Sequence, residues 1–217
     1  MSDLTFDASS TALLITDPQI DFLKPESVVW DKVGETVESN AVVDKLAQLR
    51  EAAQEGDVPI VYSPHYYEDD EFESWDSLNT IDQIMFDTRM FDVDGPGSDF
   101  VPKLEPDDET FVLSPHKQLS GFWSNDVNTQ LRQRGIDTLV LAGMSANLCV
   151  ESHLRDAVEN GFEVATVTDA TAAAGEDALE AALTNFNFIA HETITTDEAT
   201  DRLANADSET ETADTTA

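Results

Sequence analysis

Short, uniformly apolar runs alternate with helical patterns along this chain, and no other feature constrains the fold as strongly. The runs are "TALLIT", "VPIVYS", "TFVLS", "TLVLAG" and "EVATVT" (residues 11–16, 58–63, 110–114, 138–143 and 163–168), and "FIAHETIT" (188–195) is a candidate for a short final strand. Strands that are apolar throughout are buried on both faces, which with intervening helices means a parallel sheet. We therefore predict an α/β fold, a three-layer α/β/α sandwich around a mostly parallel, Rossmann-like sheet of five to six strands.

The organisation along the chain follows from what separates these runs. Helical patterns occupy residues 37–53, 125–135, 147–160 and 176–186. A length of 217 residues fits one domain, which we predict over residues 1–198. Residues 64–109 are too long to lack structure and are interpreted as a lid or interface insertion, with a plain surface insertion as the alternative. Residues 199–217 are polar and acidic, which predicts a disordered tail.

The charge balance excludes several classes of partner. Forty-five Asp and Glu residues oppose 11 Lys and Arg residues, for a formal net charge of −34. Such a surface repels phosphate backbones and anionic lipid, so we expect neither nucleic acid nor membrane among the partners. The acidic residues are spread along the chain instead of forming blocks, which favours the halophilic composition of a salt-adapted proteome over an acidic interaction protein.

The chain also lacks the signals of a membrane or secreted protein. No run of 18 apolar residues is present, and "MSDLTFDASS" has neither the basic nor the apolar part of a secretory signal. The single cysteine, Cys149, excludes an intramolecular disulfide. We therefore expect a cytoplasmic protein.

Three residues that follow predicted strands could act together as a nucleophilic site. Asp17 follows the first strand, Lys117 the third and Cys149 the fourth, at the sheet edge where parallel α/β folds bind ligands. Each has an ordinary explanation, respectively a turn former, a solvated charge and a small buried apolar residue. Together they suggest a reactive thiol, because the pKa of a thiol falls at a helix N-terminus and beside a cation. With Asn147 as the N-cap, Cys149 would lie in the first turn, where N–H groups suit a developing oxyanion.

Three segments resemble the isochorismatase-like cysteine hydrolases, a superfamily that includes nicotinamidases, N-carbamoylsarcosine amidases and ureidoacrylate hydrolases. They are "LLITDPQIDF", "HKQLSGFWSNDVNTQLRQRGIDTLVLAGMSANLCVESHLRDAVENGFEVATVTDATAA" and "ALTNFNFIAHETITT". The resemblance covers residues 10–198, with 64–109 matching least, and its cysteine motif is specific. It implies a hydrolase that cleaves a non-peptide C–N bond of a small amide, ureide or N-carbamoyl compound. We also expect a homo-oligomer, a dimer or a tetramer.

The resemblance implies specific roles for the residues at the strand ends. Asp17, Lys117 and Cys149 would be catalytic: Asp17 would take the thiol proton, Lys117 would hold Asp17 and favour the thiolate, and Cys149 would form an acyl- or carbamoyl-enzyme. A cis peptide bond is implied at Met144–Ser145, which would aim the N–H groups of Ser145 and Cys149 at the oxyanion.

A departure from the metal-binding nicotinamidases predicts a site with neither metal nor cofactor. Those enzymes carry an Asp-x-His pair after the second strand and a further histidine, whereas this chain reads "YSPHYYEDDEF" there and has no histidine in "TRMFDVDGPGSDF". His65 alone cannot form that site. The residues interpreted as substrate-pocket lining, with ordinary packing as the alternative for each, are Phe22, His65, Tyr66, His116 and Trp123.

Other functions remain open from the sequence. His153 lies four residues after Cys149 and would share its helical face, so a Cys–His dyad is an alternative. Some proteins of this fold are catalytically silent or bind carriers and partners. A redox protein using Cys149 would need an external thiol, because the chain has no second cysteine. Dinucleotide binding is disfavoured because no GxGxxG follows the first strand.

Overall fold

The six strands of the described chain form one entirely parallel sheet. The computed structural model describes residues 3–206, and the strand order there is β3-β2-β1-β4-β5-β6. The strands are β1 (Thr11–Thr16), β2 (Ile60–Ser63), β3 (Thr110–Val112), β4 (Thr138–Gly143), β5 (Glu163–Thr171) and β6 (Glu192–Ile194). The predicted α/β fold is confirmed, and β1 and β4 are buried along their whole length, as their apolar sequences require.

Helices cover both faces of the sheet. Those described are α1 (Ile20–Leu23), α2 (Trp30–Ser39), α3 (Val42–Glu55), α4 (Asp69–Ser74), α5 (Thr80–Thr88), α6 (Gly121–Ser124), α7 (Val127–Gln133), α8 (Glu151–Glu159), α9 (Glu176–Ile189) and α10 (Thr196–Ala204). Helices α2, α3 and α10 pack their apolar residues into the core on one face, while α7, α8 and α9 do so on the other. Among residues 3–206, no helix combines the length and the apolar character that crossing a bilayer requires.

Two helical predictions needed revision at their boundaries. The pattern predicted as one helix over residues 37–53 is split between α2 and α3, because Ala41 adopts a left-handed φ of 50° and Asn40 donates its side-chain amide to the Thr171 carbonyl. The helix predicted from Asn147 begins earlier, with a π-helical turn over Ala146–Val150 that runs into α8. Asn147 is therefore inside the turn, and Ser145 occupies the N-cap position.

The predicted disordered tail was wrong for its first part. Helix α10 extends over residues 196–204, and its buried Ala199 and Leu203 belong to the core beneath α3. Its first turn is fixed by a capping box, in which the Thr195 side chain accepts from the Glu198 N–H and the Glu198 carboxylate accepts from the Thr195 N–H. Residues 207–217 of the predicted tail lie outside the described residues.

The long connection at residues 64–109 is a structured insertion. It contains α4 and α5, each opened by a capping box, and two short 3₁₀ turns at Pro96–Ser98 and Pro102–Leu104. Met85, Met90 and Phe91 are buried within it and join the core on the α2–α3 face. The insertion also supplies side chains to the wall of a cavity at the carboxyl ends of the strands, which is described below.

The strand order places a crevice between β1 and β4. The chain builds the sheet outward from β1 through β2 to β3 and then returns to the other side of β1 with β4. Ligands in open α/β sheets bind at such a switch point, outside the carboxyl ends of the strands. Asp17 directly follows β1 and Ser145 is the second residue after β4, so both residues lie at the edge of this crevice.

Gly143 lets β4 approach β1 where the crevice begins, and we expect its replacement by alanine to destabilise the fold. It has a φ of 116°, and a Cβ there would lie 2.2 Å from the Thr16 carbonyl oxygen. Backbone strain and this clash together predict a loss of about 3 kcal/mol or more in the free energy of unfolding, measured by urea denaturation in molar KCl. Gly175→Ala is the matched control, because Gly175 has a φ of 94° but a Cβ added to it would meet no atom within 4 Å. Gly175→Ala should lose less stability, on the order of 1–3 kcal/mol, because it introduces backbone strain without a clash. Equal losses in both variants would contradict the close-approach argument.

Candidate active site

Asp17 is the residue around which the site is organised. It directly follows β1, is fully buried, adopts a left-handed φ of 47°, and donates its backbone N–H to the Ser63 carbonyl over 3.0 Å. Its Oδ1 lies 2.8 Å from His116 Nε2. Its Oδ2 is buried without a hydrogen-bond partner among the described residues. One oxygen of this carboxylate is therefore held, and the other remains able to accept a proton.

The partner of Asp17 is His116, not Lys117 as expected. The Lys117 ammonium donates to the Tyr66 carbonyl over 2.6 Å and to Glu71 Oε2 over 2.5 Å, and it lies 5.3 Å from the centre of the Tyr67 ring. These contacts tie the strand-end segment to the insertion at residues 64–109. The ammonium of Lys117 is thus bound to groups other than the Asp17 carboxylate.

A one-residue irregularity explains why His116 and not its neighbour faces the crevice. Strands β2 and β3 pair Tyr62 with Val112, but beyond the strand ends His65 pairs with His116. The segment after β3 therefore contains one more residue than the segment after β2. Side chains alternate between faces of an extended chain, so a slip of one residue exchanges which of two neighbours points inward. The sequence contains His116 but no signal that locates the extra residue.

Cys149 lies in the π-helical turn that follows β4 and is buried. The peptide bond between Met144 and Ser145, just before this turn, is cis. Burial raises the pKa of the Cys149 thiol well above its usual value, and the neighbouring Asp17 carboxylate raises it further. The backbone N–H groups of Ser145 and Cys149 oppose this shift, because they favour the thiolate. The lowered pKa expected beside a cation is thus wrong for this site, since Lys117 lies elsewhere, and the thiol is neutral at neutral pH.

His153 supports the turn that carries Cys149. Its Nε2 accepts from the Gly121 N–H over 3.1 Å, so its Nδ1 carries the proton and donates to the Cys149 carbonyl over 2.7 Å. Burial lowers the pKa of His153 to about 3, which keeps the ring neutral. Both ring nitrogens are therefore engaged with groups other than the thiol, and the alternative Cys–His dyad is not formed.

His65 is held at the crevice through its backbone. The Gln19 side chain accepts from the His65 N–H over 2.8 Å and donates to the His65 carbonyl over 2.9 Å. The imidazole stacks on Phe91 at 4.7 Å and lies 4.4 Å from the His116 ring. Burial lowers the pKa of His65 well below its usual value. Neither ring nitrogen has a hydrogen-bond partner among the described residues.

A cavity of about 130 Å³ opens onto Cys149. Its wall is mostly apolar and includes Phe22 and His65, which were predicted to line it. Other side chains come from the start of α2, from α5 and from the residues after α5: Val29, Val33, Ile81, Ile84, Met85, Met90 and Phe91. Of the other predicted pocket residues, Tyr66 and His116 are not part of this wall, and His116 is fully buried in contact with Asp17. Trp123, also predicted to line the pocket, is 83% exposed, donates to Asp156 and is not part of this wall.

Comparisons with known proteins agree on one family. The family model of the isochorismatase domain matches residues 11–198. The chain is similar to the ureidoacrylate amidohydrolase RutB of Methylorubrum extorquens, with 30% identity over 195 residues that cover 84% of this chain and 78% of that protein.

Solved structures share the fold. A cysteine hydrolase from Pseudomonas syringae pv. phaseolicola superposes with a TM-score of 0.80 at 24% identity, over 95% of this chain and 100% of that one. An N-carbamoylsarcosine amidase from Thermoplasma acidophilum superposes with a TM-score of 0.64 at 23% identity, over 87% of this chain and 97% of that one. At these identities the superpositions bear on the fold alone.

Proposed function

We propose, given that this chain belongs to the isochorismatase family, that it hydrolyses a C–N bond of a small amide, ureide or N-carbamoyl compound through a covalent intermediate on Cys149. The observation that carries the proposal is the Asp17 carboxylate, which is bound by His116 through Oδ1, unpartnered at Oδ2, and adjacent to the Cys149 thiol at the base of an apolar cavity. A nucleophile, a base and a group that orients the base are the parts that covalent catalysis requires.

Proton transfer accompanies the attack of the thiol. An ionised carboxylate can only accept hydrogen bonds, so Nε2 of His116 carries the proton and donates to Asp17 Oδ1. Asp17 Oδ2 is then the acceptor for the proton of the Cys149 thiol. Because the raised pKa keeps this thiol protonated in the empty site, the proton moves to Asp17 as sulfur attacks the substrate carbonyl carbon.

The rest of the cycle uses the same groups. The N–H groups of Ser145 and Cys149, which already face the sulfur, stabilise the oxyanion of the tetrahedral intermediate. Asp17 returns its proton to the leaving nitrogen, the C–N bond breaks, and the amine departs from the acyl- or carbamoyl-enzyme. A water molecule then gives a proton to Asp17 and attacks the same carbonyl carbon. Cleavage of the C–S bond releases the acid, and the thiolate recovers the proton from Asp17.

The cavity restricts which compounds fit. A volume of about 130 Å³ with a mostly apolar wall suits a compact substrate with an apolar body. Lys32 lies at the rim and is exposed, and among residues 3–206 its ammonium has no ion-pair partner. In a chain with a net charge of −34, an unpaired lysine at the mouth favours a substrate with a terminal anionic group.

A substrate screen in molar KCl tests the proposed function. Ureidoacrylate, the compound in the name of the RutB relative, is tested first, together with small N-carbamoyl amino acids and aliphatic amides of increasing size. We expect amine or ammonia release from the compact members and none from the largest aliphatic amides, because a cavity of about 130 Å³ leaves no room for them. Intact-mass spectrometry of rapidly quenched reactions should show the acyl or carbamoyl adduct. No release and no adduct with any of the three classes would contradict the proposal.

A further inference from the structure

Four metal-ligating side chains converge beside the nucleophile. One ligand atom from each of Asp17, His65, His116 and Cys149 can be chosen so that all lie within 4.8 Å of one another, and all four residues are buried. They arrive from separate elements: Asp17 from the end of β1, His65 and His116 from the segments after β2 and β3, and Cys149 from the turn after β4. The same switch point that assembles the candidate active site therefore also assembles a compact set of donor atoms.

Several polar atoms of this cluster make no hydrogen bond. Among the described residues, Asp17 Oδ2, His116 Nδ1 and both ring nitrogens of His65 are buried and without a hydrogen bond. Buried polar atoms are nearly always paired, because an unpaired one has lost its hydrogen bonds to water without replacement. The His65 imidazole is the informative member, because its backbone is clamped by Gln19 and its ring is fixed against Phe91 while neither nitrogen is used. Its fixed placement indicates a ligand for one of these nitrogens at the centre of the cluster.

We propose that Asp17, His65, His116 and Cys149 form a binding site for a divalent cation, with Zn²⁺ as the preferred ion. One thiolate, two imidazoles and one carboxylate make a donor set typical of Zn²⁺ and unlike the oxygen-rich sets of Mg²⁺ and Ca²⁺. Bond lengths to zinc place neighbouring donors of a tetrahedral site roughly 3.3–3.6 Å apart. A cluster with donors within 4.8 Å reaches this geometry by a contraction of about 1 Å, within the reach of side-chain rotation.

This proposed site differs from the Asp-x-His metal site of the nicotinamidases, which the sequence lacks. The expectation of no metal rested on the missing Asp-x-His pair and its additional histidine, whereas the donors here include the proposed nucleophile and its base. The site also depends on His116: a lysine ammonium facing Asp17 could not act as a ligand, because it has no lone pair. His116 in place of a lysine therefore allows the crevice to bind a metal ion as well as to orient Asp17.

Metal binding would oppose the proposed hydrolysis. Coordination replaces the thiol proton of Cys149, which passes to solvent, and occupies the Asp17 oxygen needed as the base. The Zn²⁺-bound protein would then be a protected, resting form, reactivated when the ion is removed.

Metal titrations of the chelator-treated protein test this proposal without any substrate. We expect one Zn²⁺ per chain by calorimetry, and one Co²⁺ with the intense near-ultraviolet absorption of a cobalt–thiolate bond. His65→Ala should weaken Zn²⁺ binding at least about 10-fold, and Cys149→Ser should abolish the cobalt–thiolate absorption. The matched control is His191→Ala, since His191 is exposed and outside the cluster.

The outcomes separate this proposal from the proposed hydrolase. Weak binding of many ions to surface carboxylates, with no cobalt–thiolate absorption by the wild-type protein, would overturn the metal site whatever the activity. Unchanged Zn²⁺ affinity in His65→Ala would do the same. A one-to-one cobalt–thiolate complex in a protein that hydrolyses none of the screened compounds would instead support the metal site and count against the hydrolase. If both proposals hold, one equivalent of Zn²⁺ abolishes turnover and a chelator restores it.

Discussion

Replacing Cys149 by alanine should reduce kcat/KM by about 10⁴-fold or more while leaving the fold intact. The expected loss is large because Cys149, the proposed nucleophile, lines the cavity and is the only cysteine in the chain, so no other thiol can form the covalent intermediate. The measurement is the steady-state rate on the best substrate of the screen, together with intact-mass detection of the adduct. The adduct should be absent from Cys149→Ala.

The control for this variant is structural. Alanine is smaller than cysteine and suits a helical turn, so the urea midpoint and the circular dichroism spectrum should stay close to those of the wild type. Cys149→Ser preserves shape and should also be inactive, because a hydroxyl is a far weaker nucleophile than a thiol in a site whose base is a single carboxylate. Turnover by Cys149→Ala at the wild-type rate would contradict covalent catalysis, whatever the substrate.

The fold was predictable because the strands are apolar over their whole length. β1 and β4 coincide with the predicted runs 11–16 and 138–143, because a short run that is apolar throughout and is followed by a helical pattern is typical of a strand buried on both faces. The positions of Asp17 and Cys149 beside one crevice then follow from the parallel arrangement alone. The end of the folded domain could not be predicted in the same way, because it depends on tertiary contacts. The sequence around Ala199 and Leu203 is acidic and suggests disorder, yet both residues are buried against the core on the α3 side.

The pKa of Cys149, the proposed nucleophile, could not be predicted from its position in the chain. A cysteine at the start of a helix next to a lysine suggests a lowered pKa. In the structure the lysine points to Glu71, and burial dominates the balance, so the pKa of the Cys149 thiol is raised. The pKa of Cys149 depends on how far the thiol is buried and on which charged side chain faces it. Both are set by tertiary packing, so the sequence alone does not give them.

The partner of Asp17 could not be predicted from the sequence for a similar reason, because His116 and Lys117 are neighbours in the chain. Both residues lie in the segment after β3, and a single extra residue determines which of them reaches Asp17. A resemblance to a family that uses lysine selects Lys117, whereas the geometry selects its neighbour. The assignment therefore requires a measurement that separates two adjacent side chains.

Replacing these two residues one at a time should have different effects on activity. His116→Ala should lower kcat by about 10²- to 10³-fold, equivalent to roughly 3–4 kcal/mol of transition-state stabilisation, because Asp17 loses the only side chain that holds Oδ1 among the described residues. KM should change little, since His116 is buried and is not part of the cavity wall. Lys117→Ala should retain kcat within a few-fold, because its contacts are with Tyr66 and Glu71. The check is a comparison of kcat and KM for both variants on one substrate.

The variant His116→Lys distinguishes positioning from simple structural support. A lysine at this place can donate to Asp17 and supply a positive charge, so we expect it to recover much of the activity that alanine loses, with a pH profile that differs from the wild type because an ammonium keeps its proton to higher pH than an imidazole. The same variant should bind Zn²⁺ more weakly, since the ammonium removes one ligand from the cluster. Activity that is lost in Lys117→Ala but retained in His116→Ala would reverse the assignment and return the lysine to the role the sequence suggested. Recovery of hydrolysis together with loss of metal affinity in His116→Lys would show that one imidazole serves two separable chemistries.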